Sequence, residues 1–258
     1  MLETLRRKLS AALADYLEKS GSSYTPFAIT PIRRLRRIMR PGDILLVEGD
    51  SRIATAIKYL TQSTWSHAAF YVGDALGPPE DPRDGGMLIE ADLKKGVIAV
   101  PLGTYRNYNT RICRPFGVDD AERKAIVDFM ISKIGLEYDL KNIFDLARYL
   151  LPTPPVPVRW RRRMLELGSG DPTRAICSSL IAQAFQSIQY PILPNIRESD
   201  SEPAKQILHI RHHSLYAPRD FDLSPYFEII KPTLASGFDH RELTWYEDTP
   251  ETEPEMHP

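Results

Sequence analysis

"AICSSLIAQAF", Ala175–Phe185, repeats an apolar residue every fourth position: Ile176, Leu180, Ala184 and, just beyond, Ile188. Cys177, Ile181 and Phe185 lie beside that row, so the spacing predicts one helix with an apolar face. Asp171 or Thr173 can cap it, and Pro172 is tolerated in a first turn. Cys177 then falls in the first or second turn. Unpaired backbone N–H groups and the helix dipole favour a negative sulfur there. A free thiol titrates near about 8.5 and drops in such a place, further beside an imidazolium. Two readings follow: a thiolate nucleophile, or a buried structural cysteine. The second cysteine, Cys113 in "TRICRPF", sits between arginines on a presumed strand and reads as structural.

What precedes this helix decides the fold. "RPGD" (40–43) is a turn, and "DILLVEG" (43–49) reads as a buried strand. A helix is predicted from about Ser51 to Leu60, with Ile53, Ala54 and Ile57 inward. "HAAFYVG" (67–73), "MLIEAD" (87–92), "GVIAVPL" (96–102) and "NTRICRPFG" (109–117) read as strands, and "DALGPPEDPRDGG" (74–86) as a loop. Asp119 or Asp120 opens a helix that Gly135 stops. "YDLKNIFDLARYLL" (138–151) is a second helix, and four prolines make "PTPPVPVRWRRR" (152–163) a loop. The cysteine helix follows, and "SPYFEIIKP" (224–232) returns as a last strand. Strands together, helices together and one returning strand predict an α+β fold with an antiparallel sheet.

The chain has 258 residues, enough for one large domain with appendages. Its net charge of −1 gives no mandate for nucleic acid, but the total hides an asymmetry. Residues 1–40 hold nine Lys/Arg against three acids, and residues 239–258 hold seven acids against Arg241. Residues 2–17 repeat leucine at helical spacing, and "TPIRRLRRIMR" (30–40) predicts a short basic helix. Such a head either packs on the domain with a solvated basic face or lies on an anionic membrane. Two cysteines make no disulfide framework. Without an export signal or a run of about 18 apolar residues, a reduced, cytoplasmic and possible membrane-associated setting is expected.

A thiolate needs a base, and the base needs an orienter. His67 opens a strand at the edge of small and apolar residues, where an imidazole can face a cleft. Glu90 ends the triplet "MLI" on a strand expected to pair with that of His67. A carboxylate in such a strand needs a partner, because burying an unpaired charge is costly; the alternative is an outward-facing position. His209 and His213 are four apart but lack third and fourth ligands, so no metal is expected.

"RPGDILLVEG", "TWSHAAFYVG", "LIEA" and "AICSSLIAQAF", in that order, resemble the circularly permuted papain-like cysteine hydrolases. The branch is the YiiX-like one, related to NlpC-type cell-wall amidases and to lecithin:retinol acyltransferase. The resemblance spans about residues 38–232 and implies a permuted papain-like fold, an antiparallel sheet or small barrel packed against helices. It implies Cys177 as nucleophile, His67 as general base and then acid, and Glu90 as orienter. It also suggests the Cys177 backbone N–H and Tyr138 for the oxyanion, and requires no cofactor. The domains expected are a basic helical extension (1–37), the catalytic domain (38–235) and an acidic tail (236–258). The expected substrate is a small molecule, lipid or peptide with an amide or ester bond, with peripheral membrane contact through residues 1–40. The loop 152–163, with Trp160 and its arginines, reads as a lid or as a stiff crossover. Two other readings stay open: a catalytically idle lipid- or peptide-binding module, and a membrane adaptor using residues 1–40.

Overall fold

The computed structural model describes residues 15, 16, 18, 19, 25–27, 29–77, 79–92, 94–136, 176–198, 206–209, 212–242 and 244. Tyr138, the helix expected over 138–151, the loop 152–163, the caps proposed at 171 and 173, and most of both termini lie outside them.

The elements in chain order are α1 (Ile32–Ile38), β1 (Ile44–Val47), α2 (Arg52–Thr61), β2 (His67–Gly73), β3 (Met87–Asp92), β4 (Gly96–Pro101) and β5 (Thr110–Pro115). Then come α3 (Asp120–Ser132), α4 (Ile176–Ser187), β6 (Asn195–Glu198), β7 (Gln206–His209), α5 (Pro218–Leu223), β8 (Phe227–Ile230) and α6 (Pro232–Ala235). Six strands form one antiparallel sheet in the order β4-β3-β2-β1-β5-β8, and β6 pairs with β7 in a separate ribbon. The fold is α+β, with one antiparallel sheet packed against helices.

Local chemistry sets the element boundaries. Ser51 Oγ accepts from the Ala54 N–H at 3.2 Å and starts α2. Asp119 and Glu122 form a reciprocal capping box that starts α3, with bonds of 2.8 and 3.0 Å. Between β1 and α2 the chain passes through Gly49. A Cβ there would lie 2.9 Å from both Ala54 Cβ and Ser66 Oγ, so only glycine fits this close approach. The Gly49 N–H donates to Ser66 Oγ at 2.9 Å, which ties this turn to the residue before His67.

The sheet is covered on both faces. On one, Ile44, Leu46, Phe70, Ile89 and Val97 pack with Ile126 and Met130 of α3 and with Leu180, Ile181 and Phe185 of α4. On the other, Leu45, Val47, Ala69, Tyr71, Leu88 and Ile112 pack with Leu35 of α1, Leu102 and Tyr105. Both faces of β1 are therefore buried, which explains its uninterrupted apolar run. Cys113 lies in the first cluster, fully buried, and burial pushes its thiol far up. Helix α1 buries Leu35 and Met39 while Arg33, Arg36, Arg37 and Arg40 stay exposed.

Three features go beyond the strand–helix pattern read from the sequence. The β6–β7 ribbon, the short helices α5 and α6, and a 3₁₀ turn over Pro82–Asp84 all occur in stretches of low apolar periodicity. Four-residue strands with charged or amide ends give almost no alternation to detect.

Candidate active site

His67 is the first residue of β2, beside Val47 of the central strand. Adjacent strands β2 and β3 pair Phe70 with Ile89. One step further along each strand, Glu90 comes level with Ala69 and diagonal to His67 on the same face. Diagonal neighbours in an antiparallel pair lie within reach of long side chains. Accordingly, His67 Nε2 and Glu90 Oε2 are 3.0 Å apart. Cys177 is the second residue of α4, which packs against β2 and β3. Its sulfur sits beside the His67 ring and the backbone N–H of Ala68, both of which favour its anion, and Ser178 Oγ lies 3.9 Å from it.

The three groups thus form a chain of sulfur, imidazole and carboxylate, and their electrostatics agree with it. Burial pushes the Cys177 thiol up, but the charge and hydrogen bond of His67 and the Ala68 N–H outweigh it, so the thiol falls below its ordinary range. Burial pulls the His67 ring down, but the adjacent Cys177 and Glu90 outweigh it, so the ring is held well above the usual histidine range. Burial raises Glu90, but the His67 bond and charge and a bond from Tyr105 bring it below the usual carboxylate range. All three directions favour a thiolate, an imidazolium and a carboxylate. In the charged ring both nitrogens donate, one to each anion.

Tyr105 escaped the sequence reading. It ends the 3₁₀ turn Leu102–Tyr105 after β4, and its hydroxyl donates to Glu90 Oε2. No spacing motif links "LGTY" to "LIEA". The available signal was the expected pairing of the flanking strands, which brings the turn after β4 back over β3. Trp65, two residues before His67, is also pinned. Its Nε1 donates to Asp222 Oδ2 at 3.2 Å, and the Arg111 guanidinium lies 4.9 Å from its ring centre while bonding the same carboxylate.

Residues 38–149 match the family described as permuted papain-like amidase enzyme, YaeF/YiiX, C92 family. The matched span holds His67 and Glu90; Cys177 lies beyond it and is placed beside them by the fold. Among solved structures, the chain is similar to the crystal structure of metalloprotein yiiX from Escherichia coli O157:H7. Identity is 13%, with 74% of this chain and 96% of that one covered at a TM-score of 0.44. The chain matches none of the curated proteins. The match of these residues to an amidase family supports a cysteine-hydrolase-like function.

Among the described residues, no three or more His, Cys, Asp or Glu side chains gather as a metal site. His213, from the histidine-rich stretch, lies with Nδ1 at 3.2 Å from Gln183 Nε2, and its ring is 4.1 Å from that of His212.

Proposed function

We propose that this protein is a thiol-dependent hydrolase or acyltransferase of amide or ester bonds. Cys177 is its nucleophile, His67 its general base and then acid, and Glu90 the residue that orients the ring. The observation that carries the reading is the single imidazole shared between the Cys177 sulfur and the Glu90 carboxylate. The thiolate attacks the acyl carbon and an S–C bond forms. The oxyanion is met by the Cys177 backbone N–H, one of the first-turn donors without an intrahelical acceptor, and by a second donor, for which Tyr138 is the candidate. His67 passes its proton to the leaving amine or alcohol as the old C–N or C–O bond breaks. Water, or an acceptor hydroxyl or amine, then loses a proton to His67 and attacks the thioester, and the sulfur leaves as thiolate.

Glu90→Gln tests the reading. The amide still accepts from the ring but carries no charge to hold it protonated. Turnover of a chromogenic acyl-ester and anilide panel should fall about 100-fold, the scale of acid–base assistance. Turnover unchanged from wild type would remove Glu90 from the mechanism. No turnover by wild type, with ligand binding that survives Cys177→Ala, would favour the idle binding module.

A lipid substrate is the reading we favour within this class. Phe27 is 82% exposed, and close along the chain Arg33, Arg37 and Arg40 are exposed on and just after α1, whose Leu35 is anchored in the core. Aromatic and cationic groups together suit an anionic lipid surface. Each arginine near such a surface contributes about 1 kcal/mol. Reversing Arg33, Arg37 and Arg40 to glutamate should weaken binding to phosphatidylserine vesicles at least tenfold by co-sedimentation, with no change on neutral vesicles. Equal sedimentation of both proteins would remove these arginines from membrane binding. Among the described residues, no helix is long and apolar enough to cross a membrane.

A further inference from the structure

Resting on the catalytic reading of Cys177, His67 and Glu90, we infer that Tyr105 is a positioning residue that keeps the Glu90 carboxylate ionised and aimed at His67. Two donors converge on one oxygen. His67 Nε2 lies 3.0 Å from Glu90 Oε2, and the Tyr105 hydroxyl donates to that same atom. Tyr105 is buried, and its ring centre lies 6.0 Å from that of His67 and 5.9 Å from that of Tyr108, edge to face with the latter. Burial and the adjacent Glu90 push its phenol well above its ordinary range, so it stays a donor at every pH of interest.

The fold holds this hydroxyl in place without relying on it. The turn is fixed by Leu102, fully buried, whose N–H donates to the Gly86 carbonyl at 2.9 Å. Arg106 closes its far side through the Gly103 carbonyl at 3.0 Å and an ion pair with Asp84. Removing one oxygen from Tyr105 therefore leaves the turn anchored, and what changes is the carboxylate.

A buried carboxylate facing one imidazole has a choice. It can remain an anion paired with an imidazolium, or take the proton and leave a neutral ring. A hydroxyl donated to the anion favours the first state, because it is a hydrogen bond to the charged form. Tyr105 thereby keeps the proton on His67, where the leaving group needs it. It also fixes the carboxylate's rotation, since a second bond to the same oxygen restricts it. Tyr105 acts through Glu90, the group its hydroxyl bonds.

The sign follows. Glu90 lies below its ordinary range partly through the Tyr105 bond. Without that bond its pKa rises and Glu90 competes with His67 for the proton, so the ring holds its charge less well at neutral pH. The experiment is the pH profile of iodoacetamide alkylation at Cys177, followed by peptide mapping, for wild type, Tyr105→Phe, Glu90→Gln and the double variant. Relative to wild type, Tyr105→Phe should lower the neutral-pH plateau, because a Glu90 that holds its own proton leaves less imidazolium to keep the Cys177 sulfur ionised. It should also lower the rate at pH 6 on the order of tenfold, the scale of one hydrogen bond to a charged group. In the Glu90→Gln background the same change should have no further effect, because its target is gone; a merely structural tyrosine would add its loss in both. A wild-type Cys177 with an ordinary thiol profile would refute the catalytic reading itself. A depressed wild-type profile left unmoved by Tyr105→Phe, or equal losses in both backgrounds, would overturn the role of Tyr105 and leave that reading standing.

Discussion

Cys177→Ala is expected to lower acyl-transfer turnover by on the order of 10⁶-fold, the scale of losing the nucleophile of a triad. The loss should leave stability nearly intact, since one sulfur leaves a small gap in the first turn of α4. The same chemistry separates the two thiols of the wild type. Cys177 is 6% exposed, its thiol lowered by His67 and the Ala68 N–H. Cys113 has no exposure, and burial raises its thiol. Iodoacetamide reacts with thiolates, so at neutral pH Cys177 should be modified at least about 100-fold faster than Cys113. The direction with pH is also fixed. Because the Cys177 thiol is depressed, its thiolate persists at pH values where an ordinary cysteine is protonated, and the rate falls only on acidification through that lowered pKa. Because the His67 ring is raised, the proton needed by the leaving group is lost only as pH rises through that higher value. Activity should therefore form a plateau across neutral pH with limbs on either side. Equal labelling of both cysteines would contradict this.

The second large effect is on stability. Asp43 is fully buried at the turn before β1, and it is paired rather than free. Arg114 of β5 donates Nε to Oδ1 at 2.9 Å and Nη2 to Oδ2 at 2.7 Å, and the same Nη2 reaches the Ile38 carbonyl at 2.7 Å. The Arg40 N–H donates to Oδ2 at 2.8 Å. Asp43 thus joins α1, the turn, β1 and β5 through one two-pronged ion pair. Its carboxylate beside the guanidinium raises Arg114 above the usual arginine range. Asp43→Ala strands a guanidinium that is only 13% exposed, at a cost of about 3–5 kcal/mol. Replacing both partners by leucine should recover most of that loss, because no charge is then left unpaired. Urea unfolding of the two variants checks the claim. A single-variant loss below about 0.5 kcal/mol, within the range of an ordinary surface change, would contradict it.

The parts of the fold that repeat were legible in the sequence. Strand β2 begins at His67 and ends at Gly73 as its apolar run does, and the Asp119 cap marks α3 to the residue. His67 and Glu90 could be singled out because a histidine at a strand mouth and a carboxylate after "MLI" both need partners, and adjacent strands supply them. What stayed hidden depends on contacts without sequence period. Tyr105 is fifteen positions from Glu90 across a strand and a turn. Asp43 and Arg114 are 71 positions apart, and an "RPGD" turn looks the same whether its aspartate faces water or an arginine. Strands β6 and β7 are too short and polar to announce themselves. The resemblance spanned the cysteine helix, yet the register that sets Glu90 diagonal to His67 had to come from the sheet.

The most direct test is to expose the protein to a library of electrophilic acyl probes and read the modified peptide by mass spectrometry, for wild type and Cys177→Ala. The expected result is a single acyl adduct on Cys177 that forms fast at neutral pH and disappears in the variant. Labelling that is equal in the two proteins, or an adduct residing on Cys113, would contradict a thiolate held by His67 and Glu90 at the start of α4.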